Sequence, residues 1–204
     1  MNIFAIGSHP DDLEYGCGGA LACYAAAGHR VTMLVMTGGA KGGDAETRMQ
    51  EQRAATEALG VQELIFGNYE DTRIPLDQPL IAYLEDILNR VEPDLIFVHH
   101  GDDTHQDHRT VNTATLSAAR YVPNLIFYEG PTTISFQPSV FIDIGAFLDR
   151  KIEALKAHRS QVQKTNIPET NILDMALATA TFRGTQARVR HAEAFLSARL
   201  FLQP

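Results

Sequence analysis

The chain has 204 residues, is 45% hydrophobic and 21% charged, and carries 25 acidic against 17 basic side chains for a formal net charge of −8. That length suits one domain with a single core, and the charge repels phosphate backbones and anionic bilayers, so neither nucleic acid nor a membrane surface is an expected partner. A small anionic substrate in a local positive pocket stays open, and a start without a basic n-region, no long apolar run, and two cysteines outside any CxxC pair (Cys17 and Cys23) make a cytoplasmic location the expectation.

Short apolar runs alternate with longer helical patterns, the signature of βαβ units and a parallel sheet. Residues 3–7, Ile-Phe-Ala-Ile-Gly, read as a buried strand ending in a turn. Residues 18–27 read as a small-residue helix stopped by Gly28, a good C-cap. The almost wholly apolar residues 31–36 predict a second strand, covered on both faces, and a glycine-rich loop follows over 37–44. A helix is predicted over 46–59 and closed by Gly60, a third strand over 63–67, a third helix over 80–91, and a fourth strand over 94–98. Helix resumes over 105–121, a fifth strand falls at 125–128, and a β-like stretch at 140–144. Helices over 146–161 and 186–198 complete the pattern, with no internal repeat or linker. The expectation is one domain over residues 1–204, a Rossmann-like three-layer α/β/α fold with a mostly parallel, doubly wound sheet.

The segment after the first strand, Ser8-His9-Pro10-Asp11-Asp12-Leu13-Glu14-Tyr15, concentrates metal ligands and proton carriers. Adjacent carboxylates repel, and a nearby cation relieves them. An aspartate pair also caps helices, but a second cluster, His99-His100-Gly101-Asp102-Asp103-Thr104-His105-Gln106-Asp107-His108, holds four of the eight histidines. In a doubly wound sheet the first and fourth strands are neighbours where the strand order reverses, and ligands bind beyond their carboxyl ends. The two clusters are therefore expected to face one another. His105 and His108 share one helix face, and His9 and Asp12 have the same spacing around the turn. Histidine nitrogens with one carboxylate oxygen form a common catalytic zinc set, which also accepts iron(II). Such a metal lowers the pKa of water, and a nearby carboxylate completes its deprotonation. Thr104-x-x-Asp107 fits a capping box.

The glycine patterns do not support a nucleotide site. Leu21 stands where a dinucleotide fingerprint after Gly16-Cys17-Gly18-Gly19 needs its last glycine, and Asp44 where a phosphate loop needs lysine. The loop over 38–43 is instead placed near the crevice, with Lys41 toward substrate.

His9-Pro10-Asp11-Asp12, His105-x-Asp107-His108 and the strand–helix order resemble the PIG-L/LmbE-like family of zinc-dependent N-deacetylases. Arg48-x-x-Glu51, His158-x-Ser160-Gln161 and Ala192-Glu193-Ala194-Phe195 are similar to further family positions, in particular those of the bacterial branch that acts on small N-acetylglucosamine conjugates, including a bacillithiol precursor. The resemblance implies His9, Asp12 and His108 as ligands of one zinc ion and Asp11 as general base. It implies His105, oriented by Asp107, as oxyanion stabiliser or proton donor, and Arg48 as a substrate-binding residue. An acetylated amino-sugar substrate and a homo-oligomeric assembly are further implications. Leu13 stands where many members carry glutamate, and Gln106 where proline is frequent; both departures bear on the substrate more than on the chemistry.

Competing readings are an amidase acting on a thiol–sugar conjugate and a non-catalytic metal- or nucleotide-binding module, which would have no use for a non-ligating base. Other residues have plain structural readings. His99 and His100 suit pocket lining or packing, His29 an exposed turn, His191 the last helix, and His158 either the pocket rim or a helix surface. Arg48 and Glu51 also fit a helix-surface pair. Lys151, Lys156 and Arg159 read as a solvated helix face, Cys17 and Cys23 as small buried hydrophobes, and Arg183-Gly184 as a turn.

Overall fold

A computed structural model describes residues 1–201 of the chain. Its centre is a seven-stranded sheet in the order β3-β2-β1-β4-β5-β7-β6. Strands β1 (Asn2–Gly7), β2 (Arg30–Thr37), β3 (Glu63–Tyr69), β4 (Leu95–His99) and β5 (Leu125–Tyr128) run parallel. Strand β7 (Ala192–Arg199) lies antiparallel between β5 and β6 (Val140–Asp143). The inner strands are apolar on both faces because helices cover both. Alternation along β1 divides the core: Ile3 and Ala5 face one cluster, Phe4 and Ile6 the other. Helices α1 (Asp12–Ala26), α2 (Ala45–Leu59) and α5 (Leu148–Ala157) close the first side, and α3 (Gln78–Val91) and α4 (Gln106–Ala118) the second.

Local chemistry sets the helix ends. Asp44 and Asp77 cap α2 and α3, accepting from the backbone N–H groups of Thr47 and Leu80, and a left-handed Gly60 ends α2. Helix α1 begins at Asp12, a full turn and more before the expected start at Gly18, so the aspartate pair sits at its N-terminus. Its glycines permit close approach: a Cβ on Gly16 would lie 2.1 Å from the Tyr128 ring, and one on Gly19 2.9 Å from Ile144.

The C-terminal quarter departs from the sequence expectation. Helix α6 occupies Ile172–Ala187, capped by Asn171 and ended by a left-handed Arg188, and the expected helix over 186–198 is strand β7. Ala192-Glu193-Ala194-Phe195-Leu196 is rich in helix formers, but pairing with β5 and β6 overrides that preference. His191 consequently precedes a strand, its carbonyl accepting from Ile144, and Arg183-Gly184 lies inside α6. Helix α5 stops at Ala157, short of residue 161.

Lys151 is also not solvated. It is 2% exposed and pairs with Glu193 of β7. Both Glu193 oxygens accept backbone N–H groups inside α1, from Gly19 at 2.9 Å and Ala20 at 2.7 Å, while Lys151 donates to the Tyr15 carbonyl of the same helix. A buried ion pair thus ties α1, α5 and β7 together.

Candidate active site

Strand order reverses between β1 and β4, and the segments leaving their carboxyl ends meet there as expected. They line a cavity of about 330 Å³ together with the loops after β2, β3 and β5.

Leaving β1, Asp11 takes a left-handed conformation with φ 95°, an unfavourable state for a residue with a Cβ. The turn separates the two aspartates. Asp12 folds back on its own loop, where its Oδ2 accepts from Ser8 N at 3.1 Å and His9 N at 2.7 Å. Burial would raise its pKa, but His108 and His99 outweigh that and hold it well below the usual carboxylate range. Asp11 keeps 28% of its side chain exposed toward the pocket. Its pKa is raised to about 6, chiefly by burial, with His158 and Arg48 opposing and Asp12 and Glu14 adding.

The histidines gather around Asp12. His9 Nδ1 lies 3.3 Å from Asp12 Oδ2, and His108 Nε2 lies 3.4 Å from Asp12 Oδ1. The far nitrogens are held by other carboxylates: His9 Nε2 by Asp107 at 3.1 Å and Asp71 at 3.2 Å, His108 Nδ1 by Asp103 at 3.2 Å. This is how ligating imidazoles are oriented in metal sites. His108 Nε2 itself is buried with no hydrogen-bond partner. Burial lowers the basicity of His108, but Asp12 and Asp103 prevail and bring its pKa to about 9. Overlapping trios able to hold a cation are His9–His105–His108, Asp12–His99–His108 and His9–Asp71–Asp107, each with donor atoms within 4.8 Å of one another. None of these trios is the expected set of His9, Asp12 and His108 as such, although Asp12 lies against both of those histidines in the same cluster.

His105 is the N-cap of α4, its Nδ1 accepting from Asp107 N at 3.2 Å and its own N–H donating to Asp103 at 2.8 Å. The expected Thr104–Asp107 capping box does not form, because the Thr104 hydroxyl donates to the Thr132 carbonyl. Asp107 fixes the His105 ring by its backbone N–H only. Its carboxylate takes His9 and the Thr72 N–H. With Nδ1 accepting, a neutral His105 carries its proton on Nε2. Burial lowers its pKa, and the neighbouring His9 and His108 add to that.

Arg48 is 5% exposed and reaches from α2 to both loops, donating to Gly39 O at 2.7 Å and Pro10 O at 2.7 Å, with Asp11 Oδ2 at 3.3 Å. Gly39 sits at φ 66°, and a Cβ there would stand 2.1 Å from the guanidinium, so this loop needs glycine. The surface-pair reading of Arg48 and Glu51 fails, since Glu51 accepts from Ser160 through both its N–H and its hydroxyl. Behind Asp11, Gln52 accepts from Asp11 N and donates to Glu14, whose other oxygen lies 3.4 Å from His158 Nε2. His158 is 1% exposed, which places it on neither the rim nor a helix surface.

Sequence reasoning gave no role to Asp71, although its place just past the end of β3 aims it at the same crevice. Asp103 and His99 were visible in the histidine cluster without a function. His99 accepts from Ser8 N at 3.0 Å. Burial, with His108 alongside, lowers its pKa to about 4.

A mostly parallel α/β sheet with a histidine–carboxylate pocket beyond its switch point defines a class of protein whose side chains could hold a metal ion. Residues 4–119 match the PIG-L family, described as GlcNAc-PI de-N-acetylase, and the chain belongs to it. The protein described as uncharacterized deacetylase YaiS of Escherichia coli (strain K12) is 40% identical over 167 residues, covering 78% of this chain and 90% of that one. A probable N-acetyl-alpha-D-glucosaminyl L-malate deacetylase 2 of Bacillus cereus is 27% identical over 79% of this chain and 84% of its own. The crystal structure of the conserved protein TT1542 from Thermus thermophilus superposes with a TM-score of 0.88 at 28% identity, covering 100% of this chain and 97% of that one.

Proposed function

We propose that this chain is a metal-dependent hydrolase that removes the N-acetyl group from an N-acetylglucosamine-type sugar or small conjugate. The observation that carries the reading is the division between the aspartates: Asp12 lies between two histidine nitrogens, one of them otherwise unpartnered, while Asp11 is turned into the pocket. Membership in a family with deacetylase relatives supports the same conclusion.

In this reading His9, Asp12 and His108 hold the cation, with zinc as the expected metal and iron(II) compatible with the same donors. Bound there, a divalent cation supplies Lewis acidity and makes water a usable nucleophile near neutral pH. Asp11 takes the proton of the attacking water on its carboxylate, and Arg48 and Gln52 hold it at the pocket wall for that transfer. A neutral His105 donates a hydrogen bond from Nε2 to the charge developing on the carbonyl oxygen, and the proton taken up by Asp11 then passes to the departing amine. Asp71, Asp103 and Asp107 fix the ring orientations of His9 and His108. Such an enzyme acts on a small soluble acetylated amino sugar, and among the described residues no helix is long and apolar enough to cross a membrane. A cytoplasmic place and a homo-oligomeric assembly go with this reading.

The test is acetate release from a panel of N-acetylglucosamine compounds, with the protein loaded by defined metals. Stoichiometric acetate and free amine, abolished by chelation and restored by metal, are expected; no acetate from any panel member with any metal would overturn the reading.

A further inference from the structure

The pocket joins a wall of aspartates, histidines and Arg48 to two exposed lysines. Asp11, Asp12 and Asp71 line it together with Lys41 and Lys164. These lysines come from distant segments, the glycine-rich loop after β2 and the loop between α5 and α6, yet they are joined. Lys164 Nζ donates to the Gly42 carbonyl at 2.6 Å, and Gln161 Nε2 donates to the same oxygen at 3.3 Å. The Lys41 backbone N–H is in turn held by Asp71 at 2.7 Å. Both lysines also border the shallow groove that continues outward past Gln161 and Asn166.

Neither ammonium enters an ion pair among the described residues, although Lys151, Lys156 and six arginines do. Isolated surface lysines are ordinarily just solvated. Here two unpaired cations line one pocket in a chain of net charge −8, and the remaining lining includes the uncharged Pro131, Thr132, Ile172 and Met175. A pair of cations set apart from the reacting centre orients an elongated substrate, because it favours the pose that brings an anionic end to it.

We infer that Lys41 and Lys164 form a subsite for an anionic group, a carboxylate or a phosphate, carried by the substrate beyond its acetylated sugar. This rests on the deacetylase reading above and narrows its substrate class to anionic conjugates. Gly42 serves the subsite by presenting the carbonyl that parks Lys164 beside Lys41.

The experiment compares methyl N-acetylglucosaminide, its carboxymethyl counterpart and N-acetylglucosamine 1-phosphate, by acetate release and by calorimetric binding to the same protein. The wild-type chain should prefer at least one anionic compound, with a preference that weakens as salt rises. In the Lys41→Gln/Lys164→Gln double variant the anionic-to-neutral ratio of kcat/KM should fall about tenfold, through KM. Lys164→Glu should shift preference toward a 2-aminoethyl glycoside. The two anionic arms show whether a carboxylate or a phosphate is the group held. An unchanged ratio in the double variant, or a wild-type chain indifferent to charge, would overturn the subsite. If no compound is hydrolysed, the deacetylase reading falls, while the calorimetric ratio still decides the subsite.

Discussion

Two clusters of buried charge engage helix α1, and they follow opposite rules. In mid-helix, Lys151 and Glu193 spend their charged atoms on each other and on the α1 backbone. At the N-terminus, the cluster around Asp12 leaves His108 Nε2 without a hydrogen bond beside a cavity, and Asp107 Oδ1 lacks one too. Buried charge is tolerated when it is paired and hydrogen-bonded. The closed cluster meets that condition within the protein and serves structure. The open one meets it only when something enters, which is the mark of a binding site.

Substitutions can break this contrast. Asp11→Asn should lower kcat about 100- to 10,000-fold with metal content retained, because it removes a proton acceptor and no ligand; elemental analysis beside steady-state rates checks both halves. Glu193→Ala should cost about 3–5 kcal/mol of stability by stranding Lys151 and two α1 amides. A Lys151→Met/Glu193→Leu double variant should recover part of that loss, as denaturant melts would show. Equal rate losses for the Asp11 and Glu193 variants at matched stability would erase the distinction between the clusters. Gly39→Ala should cost about 1–3 kcal/mol, since its left-handed backbone and the Arg48 guanidinium both oppose a Cβ. The smallest effect concerns pH in chelator-treated protein. His108 has a folded pKa of about 9, above the unfolded value, and His9 is raised in the same direction. Their protonated forms favour the folded state, fully below pH ~6.5 and progressively less up to about 9. The metal-free Tm should therefore fall over that window, and His108→Asn should flatten the fall.

The same contrast explains what the sequence made legible. Strands β1, β2, β4 and β5 are continuous apolar runs ending in turn residues, so their positions follow from local pattern. The meeting of His9 and Asp12 with His105 and His108 follows from sheet order. What escaped is set by distant partners. Residues Ala192–Arg199 carry helix formers and become a strand only because Tyr128 and Val140 pair with Phe195 from either side. That error produced another: Lys151 reads as a solvated residue while its partner Glu193 is assigned to a separate helix. Asp71 has no local signature, because its significance lies in a 3.2 Å contact with His9. Asp107 is implied in the sequence only as the residue that orients His105, and spacing cannot show that its carboxylate meets His9.

The central claim is that the open cluster is completed by one divalent cation on which turnover depends. Titrating zinc into chelator-treated wild-type and His108→Ala protein, with heat, proton release and acetate production followed together, tests it most directly. The account predicts one site per wild-type chain, proton release on binding, acetate production rising in step with occupancy, and neither site nor turnover in the variant. Turnover independent of occupancy, or an undiminished site in the His108 variant, would contradict it.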